Sequence, residues 1–265
     1  MTTGGEERQR LVHSHRYQEA FEAYDAELRR NPKFLADVVA WRARMLLCLS
    51  RLEEALAGFT EANELEARRW KGANQPHLRA IAAIQWMLGH ETDATMTLLR
   101  ATEGIANGTI SYTDSSRGAR DGLLLWYVGV SGNDETTRQR ALSFLGNLDT
   151  SWLDECWPGP VALGVLGQRR FEDLPRYAAK EIEPAINQHA VSMTRRRTAC
   201  HIAFYNGIQM RAEGDEAGCI RMLRQCHSIE NPIDEEEWYL ARREVEKIVG
   251  DSGFSSREFR GQMSI

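Results

Sequence analysis

A helical pattern that recurs in the first part of the chain constrains the fold more than any other feature. Residues 17–24 (YQEAFEAY) place a small residue, Ala20, one helical turn before an aromatic residue, Tyr24. About 35 residues further on, residues 52–59 (LEEALAGF) place a small and an aromatic residue in the same register. A helix-turn-helix unit of this length cannot bury its apolar face alone, so such units stack and share a core.

Two parts of the chain resemble known helical-repeat proteins. Residues 17–101 resemble generic tetratricopeptide (TPR) repeats. Residues 121–249 are similar to the C-terminal half of bacterial TPR proteins related to the NlpI-like lipoproteins. That second similarity rests on Trp126-Tyr127, Trp157-Pro158-Gly159-Pro160, Ala199 to Gly207, Glu213-Gly214-Asp215 and Glu237 to Glu244.

The resemblance implies a TPR-like right-handed α-solenoid of stacked helical hairpins. It also implies a function, that of a helical adaptor, often dimeric, that docks other proteins. The NlpI-like lipoproteins have a lipidated, exported N-terminus, whereas this chain begins with unlipidated polar residues. Their localisation and partners are therefore not carried over.

The spacing of apolar residues predicts an all-α chain, because they recur at intervals of three and four and never alternate over five or more residues as a strand does. Four segments are expected: TPR hairpins over 1–103, a polar loop over 104–116, TPR-like hairpins with a polar capping helix over 117–249, and a flexible tail over 250–265. Within the third segment, the patterns predict helices or hairpins over 117–130, 135–148, 161–167, 171–189 (interrupted near Pro184), 198–229 and 235–249.

Composition and charge narrow the class of protein. The chain is 42% hydrophobic and 27% charged with a net charge of −5, so it lacks the basic balance typical of nucleic-acid binders. The N-terminus is polar, and the longest apolar run, Leu123 to Val130, is far below the roughly 18 residues of a membrane span. We therefore expect a cytoplasmic protein with neither a nucleic-acid nor a membrane partner.

Two groups of residues carry side chains that can bind metal ions, but helix packing explains both groups better than metal binding does. They are His13-Ser14-His15, and Cys200-His201 with Cys219 and Cys226-His227. Cys219 and Cys226 lie seven residues apart on small-residue positions of a repeat, whereas structural zinc typically uses ligands two to five residues apart. The five cysteines lack CxxC spacing, so the sequence predicts no metal and no cofactor.

No recognisable catalytic motif is present, and enzymatic activity is not expected. Cys200 and His201 are neighbours on a helix, so their side chains point about 100° apart and do not form a dyad. The acidic run Asp234 to Glu237 is interpreted as the start of the last helix, where negative charge offsets the helix dipole.

The concave face is the predicted binding surface, because the first helix of each TPR hairpin lines it. The off-core positions of those helices are Asp37, Arg44, Arg79, Trp86, His201 and Arg211. Arginines beside an exposed tryptophan would bind a peptide that carries carboxylates, through bidentate pairing and apolar anchoring. Packing of Trp86 against the next hairpin is an equal alternative.

The sequence thus predicts a non-enzymatic adaptor or scaffold that binds a protein or peptide in a concave groove, with a homodimer left open. The alternative is a small-molecule-binding protein or an atypical enzyme, with a pocket between the N-terminal hairpins and the 104–116 loop. A third reading, a regulatory or immunity protein in a bacterial operon, is also a binding role. A deep cavity with convergent polar groups would favour the pocket, and a shallow open groove would exclude it.

Overall fold

The computed structural model describes residues 3–111, 116–183 and 187–251, and within these ranges the chain is helical and contains no strand. The all-α prediction is therefore confirmed for the described residues. The helices are α1 (Thr3–His13), α2 (Tyr17–Leu28), α3 (Leu35–Cys48), α4 (Leu52–Arg69), α5 (Leu78–Met87), α6 (Glu91–Ala106), α7 (Ala119–Ser131), α8 (Glu135–Gly146), α9 (Thr150–Glu155), α10 (Gly159–Val165), α11 (Leu174–Ile182), α12 (Gln188–Ala212), α13 (Glu216–Ser228) and α14 (Glu236–Asp251).

Successive helices pack against each other as hairpins. The most extensive pairs are α3 with α4, α5 with α6, α7 with α8, and α12 with α13, and neighbouring hairpins contact each other through α2–α3, α4–α5 and α6–α7. The repeated small and aromatic positions explain this packing. Ala20, Tyr24, Ala55 and Phe59 are all buried, and the absence of a side chain at Gly58 lets α4 approach Ala43 of α3 closely. None of the helices in the described ranges is long and apolar enough to cross a membrane.

Several boundaries differ from the sequence-based expectation. α12 begins at Gln188 rather than near Thr198, because the side chain of Asn187 accepts a hydrogen bond from the Ala190 amide at 2.8 Å and caps a helix whose first turns are polar. α9 was not predicted; Asp149 caps it by accepting from the Ser151 amide at 2.9 Å.

The predicted 104–116 loop begins later than expected, since α6 continues to Ala106. Residues 112–115 of that loop, the interruption near Pro184 and residues 252–265 of the predicted tail lie outside the described residues.

α14 is not the polar capping helix that its acidic start predicts. It packs against α5, α12 and α13, and its side chains bond to residues of α3 and α7. Glu235, Glu236 and Glu237 are between 1% and 3% exposed, as deeply buried as the apolar residues Tyr239, Leu240 and Ala241 that follow them. The last helix is therefore part of the interior.

We expect Gly129→Ala to lower the free energy of unfolding by about 1–3 kcal/mol, as overpacking does in tightly packed interiors. A Cβ at Gly129 of α7 would lie 2.6 Å from the backbone nitrogen of Arg138 in α8, and backbone cannot move aside as a side chain can. Denaturant unfolding monitored by circular dichroism measures the effect.

Gly5→Ala is the matched control, because nothing lies within 4 Å of the added Cβ and alanine is the better helix former by about 1 kcal/mol. Equal loss of stability in both variants would contradict the close approach of α7 and α8.

Candidate functional site

The start of α14 brings three consecutive carboxylates into the interior, and side chains from three other helices meet them there. We refer to this group as the α14 cluster. It consists of Glu235, Glu236 and Glu237, together with Arg44 of α3, Arg120 of α7, and His201 and Tyr205 of α12.

Each carboxylate of the cluster has its own donors. Glu235 Oε2 accepts from Arg120 Nη2 at 2.6 Å and lies 2.8 Å from His201 Nε2. Glu236 accepts from Arg44 Nη2 at 3.0 Å through one oxygen and from Arg120 Nη2 at 3.2 Å through the other. Arg120 therefore bridges two adjacent carboxylates.

Glu237 completes the arrangement. Its Oε1 accepts the hydroxyl proton of Tyr205 at 2.7 Å, and its Oε2 lies 3.4 Å from His201 Nε2. The His201 ring thus faces two carboxylates with the same nitrogen.

Trp157 determines the protonation of the other side of the His201 ring. Its indole N–H donates to His201 Nδ1 at 2.8 Å, and the two rings stack at 6.1 Å between centroids. Because Nδ1 accepts this bond, the single proton of the neutral ring is on Nε2, where it points at Glu235.

The charges of the cluster shift the pKa values of its members in opposite directions. Burial alone would lower the pKa of His201, but Glu237 and Glu235 outweigh it and raise that pKa to about 9. Burial alone would raise the pKa of Glu235 and that of Glu237. Arg120 and His201 instead hold the pKa of Glu235 well below its usual range, and His201 lowers that of Glu237 to about 2.

His201, Glu235 and Glu237 could also bind a metal ion. Each offers one nitrogen or oxygen ligand atom, and these three atoms lie within 4.8 Å of one another. Each of these side chains already has a partner within the protein, because His201 Nε2 lies 2.8 Å from Glu235, and Glu237 accepts from Tyr205. Arg120 and Arg44 already supply positive charge to the carboxylates, so we assign the cluster a structural role.

Polar contacts continue along α14 beyond the cluster. Glu244 accepts from the Tyr127 hydroxyl at 2.9 Å and from Arg211 Nη1 at 3.0 Å. Near the start of the helix, the Tyr239 hydroxyl donates to the carbonyl of Ile233 at 3.0 Å and lies 3.1 Å from the Cys48 sulfur. α14 is therefore held by side chains on α3, α7 and α12 over most of its length.

Three of the predicted concave-face residues bind α14 directly. Arg44 pairs with Glu236, His201 with Glu235 and Glu237, and Arg211 with Glu244. The structure brings them together on one element of the chain itself.

The other three predicted residues lie elsewhere. Arg79 Nη1 is 3.4 Å from Asp121 Oδ2, and Trp86 is 3% exposed with its ring packed edge-on against Tyr127 at 5.6 Å. The prediction that Trp86 is exposed is therefore wrong, and the alternative prediction, that Trp86 packs against the next hairpin, is confirmed. Asp37 is exposed in the first turn of α3 and lines a surface depression away from the cluster.

The residues that sequence reasoning missed are Arg120, Tyr205, Trp157 and the three glutamates. Periodicity placed His201 on the concave face but did not identify what it faces. A usable signal was present in Glu235 to Glu237, since the apolar residues directly after them begin a buried helix.

The groups first considered as metal ligands do not converge. Cys200 Sγ lies 3.4 Å from Cys226 Sγ between α12 and α13, while His201 turns toward α14. His15 Nε2 is 3.0 Å from Glu230, and His13 packs against His189 at 4.3 Å between ring centroids. All five cysteines are free thiols.

Two surface depressions have measurable volumes, and both are open to solvent. One of about 190 Å³ lies between the start of α3 and the end of α4, and one of about 530 Å³ lies along α5, α6 and α8. Neither is lined by residues 104–111 or 116, the described part of the segment predicted to border a small-molecule pocket.

Comparison of the chain with protein-family models, with curated proteins and with solved structures found no match. The resemblance to TPR and NlpI-like proteins stays a prediction, and function must be argued from the structure.

We expect Glu235→Gln to lower the free energy of unfolding by about 3–5 kcal/mol, the range found when one partner of a buried ion pair is removed. The change leaves Arg120 and His201 facing a neutral side chain in the interior. Glu246→Gln is the control on the same helix, because Glu246 is exposed and its pair with Arg242 contributes little, so a change within about 0.5 kcal/mol is expected. Similar losses in both variants, measured by denaturant unfolding, would contradict the cluster.

The cluster also predicts loss of stability at both ends of the pH scale. Between pH 4.5 and about 2, the unfolded state binds the protons that Glu237 resists when folded, so stability falls as pH falls. Between 6.5 and about 9, folded His201 keeps a proton that the unfolded state releases, so stability falls as pH rises. Unfolding free energies measured across this range test both limbs.

His201→Gln serves as one control and should abolish the alkaline limb. Trp157→Phe should move that limb to higher pH, because the indole N–H opposes a second proton on Nδ1. An alkaline limb that is unchanged in His201→Gln would show that other groups produce it.

Proposed function

We propose that the protein is a non-enzymatic adaptor with a TPR-like right-handed α-solenoid architecture, whose concave side is occupied by its own helix α14. The adaptor role rests on the resemblance to TPR proteins. The occupied groove rests on the convergence of Arg44, Arg120, His201 and Arg211 on one helix. They come from α3, α7 and α12, the first helices of three hairpins, and first helices line the concave side of a TPR solenoid. An amphipathic helix in such a groove is a common mode of peptide recognition, here within a single chain.

The burial of the α14 cluster supports binding over catalysis. In the described part of the chain, it contains the one group of three or more His, Cys, Asp and Glu side chains whose ligand atoms lie close together. The side chains of His201, Glu235 and Glu237 are at most 4% exposed, and each is engaged by a neighbour. This burial leaves the three side chains almost no surface that a substrate could contact.

The occupied groove changes where a partner would dock. Arg44 and Arg211 already pair with glutamates of α14, so reversing their charge would unseat that helix rather than probe a free surface. A partner is therefore expected on the outer faces or at the ends of the hairpins.

Affinity purification of the tagged full-length protein from its native host, with amine cross-linking before lysis, tests the adaptor role. We expect one protein partner in near-stoichiometric yield, and reconstitution of the complex from the two purified proteins. A small molecule retained in native mass spectrometry without any protein partner would overturn the proposal, and so would catalytic turnover.

A further inference from the structure

Three large apolar side chains are exposed at one end of the α3–α4 hairpin. Phe34 is 53% exposed, Leu35 37% and Trp70 53%. Phe34 and Leu35 lie at the start of α3, and Trp70 follows the last residue of α4. We call these three residues the α3–α4 patch. Clusters of exposed apolar side chains rimmed by polar groups mark interaction sites more often than scattered single residues do.

Two residues of the patch, Phe34 and Leu35, line a surface depression. It has a volume of about 190 Å³, and Leu35, Ala36 and Leu65 supply its apolar lining. Lys33 and Arg69 line it too. The Lys33 ammonium lies 5.4 Å from the ring centroid of Phe34, and the Arg69 guanidinium lies 5.5 Å from that of Trp70. Each exposed aromatic ring therefore has a cation beside it, and the depression is also lined by Phe34 and by the carboxylates of Asp37 and Glu66.

Trp70 is held in place although it is exposed. Its indole N–H donates to Glu66 Oε2 at 3.0 Å, and the same oxygen accepts from Asn74 Nδ2 at 2.9 Å. A rigid exposed tryptophan loses little conformational entropy when a partner covers it, and tryptophan is among the residues that contribute most to binding energy at interfaces.

The charge around the patch differs from that of the whole chain, which carries −5. Residues 29–37 and 64–71 contain six basic and three acidic residues: Arg29, Arg30, Lys33, Arg68, Arg69 and Lys71 against Asp37, Glu64 and Glu66. Three of the basic residues already have partners: Arg69 pairs with Glu66, Arg68 with Glu64 and Arg29 with Asp25. Glu66 also accepts hydrogen bonds from Trp70 and Asn74, and Asp37 lies in the first turn of α3, where the helix dipole offsets its charge. Lys33 has no ion-pair partner among the described residues.

We propose that the α3–α4 patch binds an acidic peptide segment of a partner protein. One apolar side chain of that segment enters the depression beside Phe34 and Leu35, and neighbouring carboxylates pair with Lys33, Arg30 and Lys71. This inference rests on the proposed adaptor function and specifies the chemistry of its partner. Stacking of nucleic-acid bases fits less well, because a cation already lies against each of the two exposed rings.

Fluorescence anisotropy with short synthetic peptides tests the surface on the full-length protein. The probes are a peptide with a central leucine between glutamates, the same peptide with lysines in place of the glutamates, and one with serine in place of the leucine. We expect saturable binding of the first alone, weakening as salt concentration rises.

Phe34→Ser combined with Trp70→Ser should weaken binding of the acidic peptide by about tenfold or more. Lys33→Glu alone should weaken it as well, and this exposed substitution leaves the apolar residues in place. Met96→Ser combined with Trp152→Ser is the matched control, because both residues are exposed apolar side chains outside the patch, and its affinity should equal that of the wild type. Circular dichroism establishes that each variant is folded.

Amine cross-linking to a partner distinguishes failure of this inference from failure of the adaptor proposal, because it reports which lysines lie near the partner. The chain has four lysines: Lys33, Lys71, Lys180 and Lys247. Cross-links from Lys33 or Lys71 to an acidic segment of a purified partner support the patch. A partner that cross-links only through Lys180 or Lys247 overturns the patch and leaves the adaptor role standing, whereas absence of any partner overturns both.

Equal loss of peptide binding in the control variant would also overturn the inference. Preferential binding of a single-stranded oligonucleotide would do so too, as would patch-dependent self-association in sedimentation.

Discussion

Burial of charge at the start of α14 is the constraint on which the rest of the structure depends. An isolated carboxylate in a protein interior costs several kcal/mol, and Glu235, Glu236 and Glu237 bring three of them together. Their donors come from α3, α7 and α12, which are far apart in the sequence. The hairpins must therefore be in register with one another before the last helix can be accommodated.

The buried ion pairs of the α14 cluster determine how α14 is positioned against the hairpins more than they increase the free energy of unfolding. Replacing a buried ion pair with well-packed apolar residues is often neutral or stabilising, so attraction alone does not explain its presence. A shift of α14 by one residue would instead leave Arg44 without Glu236 and Tyr205 without Glu237. The polar contacts of Glu244 at the far end impose the same register.

The sequence predicted most of the helices and the side chains that share one face of them. It did not predict that α14 covers that face. Arg44, His201 and Arg211 were located because a period of 3.6 residues determines which side chains share a side of a helix. Periodicity contains no information on which distant segment lies opposite, so the interaction between residue 44 and residue 236 was not accessible. The acidic run does begin the last helix, as predicted, but the helix dipole accounted for it locally and gave no sign that these carboxylates would be buried. The start of α12 was missed because its first turns are polar, and the burial of Trp86 was one of two equal alternatives.

The position of α14 late in the chain has a consequence for synthesis on the ribosome. Arg44 and Arg120 are translated more than 100 residues before residues 234–251, so the early hairpins expose these cations to water until the last helix arrives. Completion of the tertiary structure then waits for contacts between residues almost 200 positions apart, which form slowly relative to the local helices. A nascent chain that stalls shortly before α14 would present an open, positively charged surface to the cell, and chaperones or proteases would distinguish it from the finished protein by that surface.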